Sequence, residues 1–220
     1  MAIPKARPLR PYEKDPAAIY AQSFATVRAE ARLERFPVSM QPVMTRLIHA
    51  CGMIEIADRL AYSPGAATAG RAALAGGAPI LCDCEMVAAG IIRRSLTASN
   101  PVIVTLNDPA TPDIAARIGN TRSAAAVTLW RDQIAGAVVA IGNAPTALFH
   151  LLELIDAGWP RPALILGFPV GFVGAAESKA ELATHPRDCH YITLRGRKGG
   201  SAMASAAVNA LAAPLPGESA

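Results

Sequence analysis

Aromatic residues make up only 5% of this 220-residue chain. That scarcity weighs against a surface that binds by aromatic stacking. Lysine is nearly missing as well: almost all of the positive charge is arginine, and the formal net charge is +4. No dense Lys/Arg run appears, so a nucleic-acid partner is not expected. The planar fork of arginine suits carboxylates and phosphates; a small anionic partner fits this composition, and so does a plain bias toward arginine. No apolar run approaches the ~20 residues of a membrane span, and no membrane partner is expected. Lys5, Arg7 and Arg10 are followed by no apolar stretch, so no signal peptide is expected. Cysteine is sparse, at Cys51, Cys82, Cys84 and Cys189. Their spacing marks neither a disulfide framework nor a four-ligand zinc site. Reduced thiols, a cytoplasmic location and no bound metal are therefore expected. Neither G-x-G-x-x-G after a strand nor G-x-x-x-x-G-K-[ST] occurs. Their absence weighs against a dinucleotide or a nucleoside triphosphate.

What the chain does have is core. Hydrophobic residues reach 52%, which excludes general disorder. Residues 1–14 read as an irregular arm, 15–212 as one domain and 213–220 as a disordered tail. Asp15-Pro16 is a helix start, with an N-cap and a proline at the first helical position. Ile19, Phe24 and Val27 form an apolar face, and helical spacing turns Ser23 inward beside it. A second helix is expected from about 39–42 to about 60, with Val43, Leu47, Cys51 and Ile54 as its stripe. A third should span 66–75. Short apolar runs then alternate with helical stretches. The runs at 79–84, 102–106, 137–141, 163–166 and 191–194 lack polar alternation, as strands buried on both faces do. Helices are expected at 85–94, 113–133 (with a break near Gly119), 146–157, 177–184 and 201–212. The pattern predicts a three-layer α/β/α fold: a mostly parallel sheet of about five strands, with an N-terminal helical segment.

Ligands of open parallel sheets sit at the carboxyl ends of the strands. Three loops there contain glycine. The first, Gly142-Asn143-Ala144-Pro145-Thr146, offers free amides for an anion and a threonine to cap the next helix. The second contains Gly167, Gly171 and Gly174; the third is basic and leads from Arg195 to Ser201. Any one of them is explained by a tight turn; three converging on one edge point to a ligand. Asn143, Thr146, Gly171, Gly174 and Ser201 are the candidate binding residues of that edge. Arg122 follows a helix break in the first turn of a new helix, against the helix dipole, which points to a partner carboxylate. Asp83 either orients a base or caps a helix. His49 lies three residues after Arg46, on one helical face, and that cation lowers its basicity. Ala50 and Gly52 leave room beside it. A neutral imidazole is a suitable proton donor or acceptor near pH 7. His150, His185 and His190 sit in poorer contexts.

Several of these segments resemble one family. They include Leu47-Ile48-His49-Ala50-Cys51-Gly52, Ile118-Gly119-Asn120-Thr121-Arg122-Ser123 and Ile141-Gly142-Asn143-Ala144-Pro145-Thr146-Ala147-Leu148. Gly167-Phe168-Pro169-Val170-Gly171-Phe172-Val173-Gly174 through Ser178-Lys179 belongs with them, as does Gly199-Gly200-Ser201-Ala202. Over roughly 15–212 the chain resembles the precorrin-8X methylmutases of cobalamin biosynthesis. Met53 and Cys84 depart from the family's pattern. The resemblance implies an isomerase that moves a methyl group from C-11 to C-12 of a corrin precursor, giving hydrogenobyrinate or its cobalt form. It implies no external cofactor, His49 as the proton-transfer residue, Ser23 and Arg46 in contact with the corrinoid, and a homodimer. The stretch from Ser23 to Phe36 looks more like the cobalt-free branch. A corrinoid carrier without activity is the alternative reading, and a nucleotide-dependent enzyme a third.

Overall fold

The computed structural model describes residues 11–213. Most of the expected arm and all of the expected tail beyond 213 lie outside the described residues; residues 11–15 carry no helix or strand. Six short strands form one sheet: β1 (Leu60–Tyr62), β2 (Ile80–Cys82), β3 (Val102–Val104), β4 (Val138–Ile141), β5 (Leu164–Gly167) and β6 (Tyr191–Leu194). Their spatial order is β1-β6-β5-β4-β2-β3. From β6 to β3 every neighbouring pair is parallel, and only β1 runs antiparallel, against β6.

The five expected strands are all present, and β1 is the addition. Its residues read as the end of the second helix because Ile54 continues the Val43–Leu47–Cys51 stripe. Gly52 breaks that continuation. It takes a left-handed φ of 68° and returns its N–H to the Ile48 carbonyl at 2.7 Å, closing α2 (Gln41–Cys51). A 3₁₀ turn, Ile54–Arg59, then delivers the chain to the sheet edge. The expected 113–133 helix is likewise two, α5 (Thr111–Ile118) and α6 (Arg122–Thr128), parted at Gly119 with φ 61°. The helix at 85 is shorter than expected, since α4 (Glu85–Gly90) stops four residues early.

Period-two side chains feed two cores. Ile80, Cys82, Val138, Ala140, Leu164 and Leu166 pack toward α2, α3 (Ala66–Ala75), α4 and α9 (Ser201–Ala212). Leu81, Val139, Ile141 and Ile165 pack toward α6, α7 (Pro145–Asp156) and α8 (Ala175–Thr184). Each fully buried aliphatic side chain contributes about 1.5–3 kcal/mol. The result is three layers, with α1 (Pro16–Glu30) laid on α2 outside them. Asp15 caps α1 by accepting the Ala17 amide at 3.0 Å. Against expectation Ile19 is 45% exposed, and only Phe24 and Val27 of α1 are buried.

Two features of this architecture place the site. The chain leaves β2 through α4 on one face and β4 through α7 on the other, so the direction of winding switches between β2 and β4, the place where open parallel sheets have their crevice. Beside it stands α9, built mostly of small residues, which lets its neighbours approach closely. A Cβ on Gly90 would lie 2.4 Å from Ser205 Oγ. Asn209 of α9 donates to the Gly90 carbonyl at 2.9 Å and accepts the Ile92 amide at 2.8 Å, tying down the end of α4.

Candidate active site

His49 stands in the last turn of α2, where α1 crosses it. Ser23 Oγ lies 2.8 Å from its Nδ1. The rings of Phe24 and Tyr20 flank the imidazole at centroid distances of 4.9 and 5.6 Å. The hydroxyl and the two rings together hold the imidazole plane. Burial lowers the His49 pKa below its ordinary 6.5, and the Arg46 cation lowers it further. The sequence named the Arg46 effect; burial is the larger cause.

Two clefts meet at His49. One, of about 520 Å³, lies between α1 and the end of α2, with Ile19, Ser23, Val27, Gly52 and Ile54 in its walls. The other, of about 450 Å³, is bounded by Tyr20, Arg46, Met86, Ser201 and Asn209. Arg46 lines that cleft, and its Nη1 is buried beneath the surface with no hydrogen-bond partner among the described residues. Burial lowers even the pKa of this guanidinium, and the nearby Tyr20 opposes that change. The guanidinium is half-buried, but a buried N–H without an acceptor is costly unless a small movement or a ligand supplies one. Ser201 opens α9, and its Oγ lies 3.5 Å from Cys84 Sγ.

Of the residues expected to bind a ligand, Ser23, Arg46 and Ser201 thus share clefts with His49. The others lie along the carboxyl edge of the sheet and line neither cleft. Arg122 is exposed; its Nη2 donates to the Leu106 carbonyl and to Asn107 Oδ1, both at 3.1 Å, and it makes no ion pair among the described residues. Thr146 does not cap α7. Its hydroxyl lies 2.8 Å from that of Thr121, and Ala144 is the cap residue. The amides of Gly142, Asn143 and Ala144 are not free for an anion from outside: Asp83 accepts all three at 2.8–2.9 Å. Burial raises the Asp83 pKa, and the three amides oppose that rise. Gly171 has φ 143° and open space where a Cβ would stand. Gly174 has φ 79°, and a Cβ there would stand 3.1 Å from Pro145 Cβ, so that glycine serves the packing of its loop on α7.

The four cysteines are free thiols, and burial pushes Cys189 up to about 11. No cluster of three or more metal-ligating side chains occurs among the described residues. No helix there is long and apolar enough to cross a membrane. His150 pairs with Glu153 at 2.9 Å and His190 with Ser63 at 3.3 Å, both away from the clefts. Tyr20, Met86 and Asn209 were not legible as site residues. Asn209 left one signal, a lone amide in an otherwise apolar helix. Lys179 is fully buried in α8; its Nζ donates to the Lys198 carbonyl, and burial lowers its pKa to about 8.

The chain matches a family model described as precorrin-8X methylmutase over residues 18–214. It is 61% identical over 201 residues to the precorrin-8X methylmutase of Pseudomonas aeruginosa, covering 91% of this chain and 97% of that one. A cobalt-precorrin-8 methylmutase of Priestia megaterium is 35% identical over 203 residues, covering 92% and 89% of the two chains. A crystal structure of a precorrin-8X methylmutase from Thermus thermophilus superposes with a TM-score of 0.80 at 39% identity, covering 89% of this chain and 94% of that one.

Proposed function

The chain belongs to the precorrin-8X methylmutase family and is an isomerase, and on that premise we propose how its residues carry the reaction. The substrate is precorrin-8X, and a methyl group moves from C-11 to C-12 of its ring to give hydrogenobyrinate. No external cofactor enters, because the migrating methyl is already on the substrate. His49 is the proton-transfer group. Ser23 engages its Nδ1, so exchange with the macrocycle falls to Nε2. Setting the protonation state of the conjugated ring lowers the barrier to migration, by a factor of about 10²–10⁴ for a positioned acid or base. Holding the ring in register against His49 supplies the rest.

The observation that carries this reading is Arg46, which lines the cleft that His49 shares and whose buried Nη1 has no hydrogen-bond partner among the described residues. A peripheral carboxylate of the macrocycle supplies the missing acceptor. Ser201 contributes a hydroxyl to the same cleft. Arg122, exposed on the carboxyl edge, meets a second carboxylate, and Asn143, Thr146, Gly171 and Gly174 shape the rim around it. The higher identity to the relative named for precorrin-8X, 61%, than to the one named for cobalt-precorrin-8, 35%, supports the cobalt-free substrate. The enzyme works in the cytoplasm as a homodimer.

Titration with hydrogenobyrinate, followed by its visible spectrum, tests the reading. Wild type should bind tightly. Arg46→Ala and Arg122→Ala should bind more weakly while the chemical step changes less. A charge-assisted hydrogen bond of about 1.5–3 kcal/mol is lost at each desolvated contact. Equal binding by wild type and both variants would contradict the carboxylate contacts.

A further inference from the structure

The crevice at the carboxyl ends of β2 and β4 is where an open parallel sheet ordinarily receives a ligand. In this chain a side chain of its own fills it. Asp83, next after β2, is 2% exposed. Its Oδ1 accepts the Gly142 amide at 2.9 Å, and its Oδ2 accepts the amides of Asn143 at 2.8 Å and Ala144 at 2.9 Å. Pro145 follows and has no N–H to offer. Asp83 makes no ion pair among the described residues. A carboxylate buried without a counter-charge is expensive, and backbone amides aimed at it are what offset the cost.

The loop held this way touches the cleft. A Cβ on Gly142 would lie 2.7 Å from Ser201 Cα, 2.8 Å from Val87 Cγ2 and 2.9 Å from Ala204 Cβ. The loop backbone is therefore in contact with the first turn of α9. From the other side Cys84, the residue after Asp83, sets its Sγ 3.5 Å from Ser201 Oγ. Two arms extend from Asp83 to one serine: the amide-bound loop against its backbone, and the adjoining thiol against its hydroxyl.

We infer that Asp83 is a positioning residue, fixing Ser201 on the wall of the cleft without touching the substrate. This rests on the cleft being the substrate site, as proposed above. Its consequence is energetic coupling: once the Asp83 clamp is lost, the Ser201 hydroxyl no longer sits where it contributes. A displacement near 1 Å at a reacting site costs on the order of 10²-fold.

A double-mutant cycle on the full chain tests this, with kcat and KM for precorrin-8X measured per folded molecule and unfolding midpoints recorded for each variant. Ser201→Ala should lower wild-type kcat/KM by at least about tenfold, and Asp83→Asn by a similar factor, within the cost of misplacement. In the Asp83→Asn background, Ser201→Ala should cost less than about threefold more, the sign of coupled sites. A purely structural Asp83 lowers the midpoint but leaves the two effects on kcat/KM additive, which would overturn the inference. If Asp83→Asn does not fold, Asp83→Ser replaces it, because its hydroxyl keeps one acceptor but cannot hold all three loop amides; the same coupling is expected and additivity again overturns the inference. A wild type that neither binds hydrogenobyrinate nor converts precorrin-8X refutes the site reading, and Asp83's role in that site falls with it. An active wild type with additive variants refutes the role of Asp83 alone.

Discussion

A histidine at its ordinary pKa of 6.5 would be partly charged at pH 7, and both influences on His49 push it the other way. Burial disfavours the imidazolium, and Arg46 repels it. Ionisation of His49 followed by NMR should therefore have its midpoint below 6.5, and Arg46→Ala should move that midpoint upward. An unchanged midpoint would mean that the Arg46 charge is screened from the ring. Stability follows by linkage. The unfolded chain takes up this proton first as pH falls, so the folded state loses stability on descending from 6.5 toward the lower folded-state value, and is level below that. His49→Ala should remove that dependence. Ser23→Ala should leave folding intact and lower kcat more than it raises KM, because it frees the imidazole without opening the cleft; a pure KM effect in steady-state kinetics would contradict the orienting bond at 2.8 Å.

Among the elements, α9 forms a wall of the cleft that Arg46 lines. Asn209→Ala strips the acceptor from the Ile92 amide and the donor from the Gly90 carbonyl; Ile92 is half-buried and Gly90 exposed, so each lost hydrogen bond costs about 0.5–1.5 kcal/mol. A denaturant midpoint lowered at unchanged slope is the expected outcome, and an unaltered midpoint would show that water replaces the side chain. The parallel strands were legible because each is a run of apolar residues serving two cores, a pattern no surface segment shares. β1 was not. It is three residues long at the sheet edge, and Ile54 carries the helical stripe up to its threshold. The cue was Gly52, whose left-handed backbone stops α2 whatever the stripe does next. On α1 the expected face is right at Phe24 and Val27 and wrong at Ile19, which stands in a cleft wall.

On the scale of the whole molecule, the α/β sheet supplies a rigid edge and the two N-terminal helices bring His49 to it. Helical spacing was enough to place Ser23, Arg46 and His49 on faces that the structure brings together, since each lies beside an apolar stripe that fixes its direction. It was not enough to find Asp83's role. A side chain that bonds only backbone amides leaves no trace in residue types, so the 142–144 loop read as an open anion site. Tyr20 and Met86 were missed for a related reason, as their place in the cleft depends on how separate helices cross. The central claim is that His49 moves the proton that sets up methyl migration. Purified wild type and His49→Ala, each incubated with precorrin-8X while the visible spectrum is followed, test it most directly. The imidazole lies outside the Val43–Leu47 core stripe, so His49→Ala should fold and still bind hydrogenobyrinate. Its turnover should be lower by a factor of about 10²–10⁴ while wild type converts the substrate. Full turnover by folded His49→Ala protein would contradict the claim.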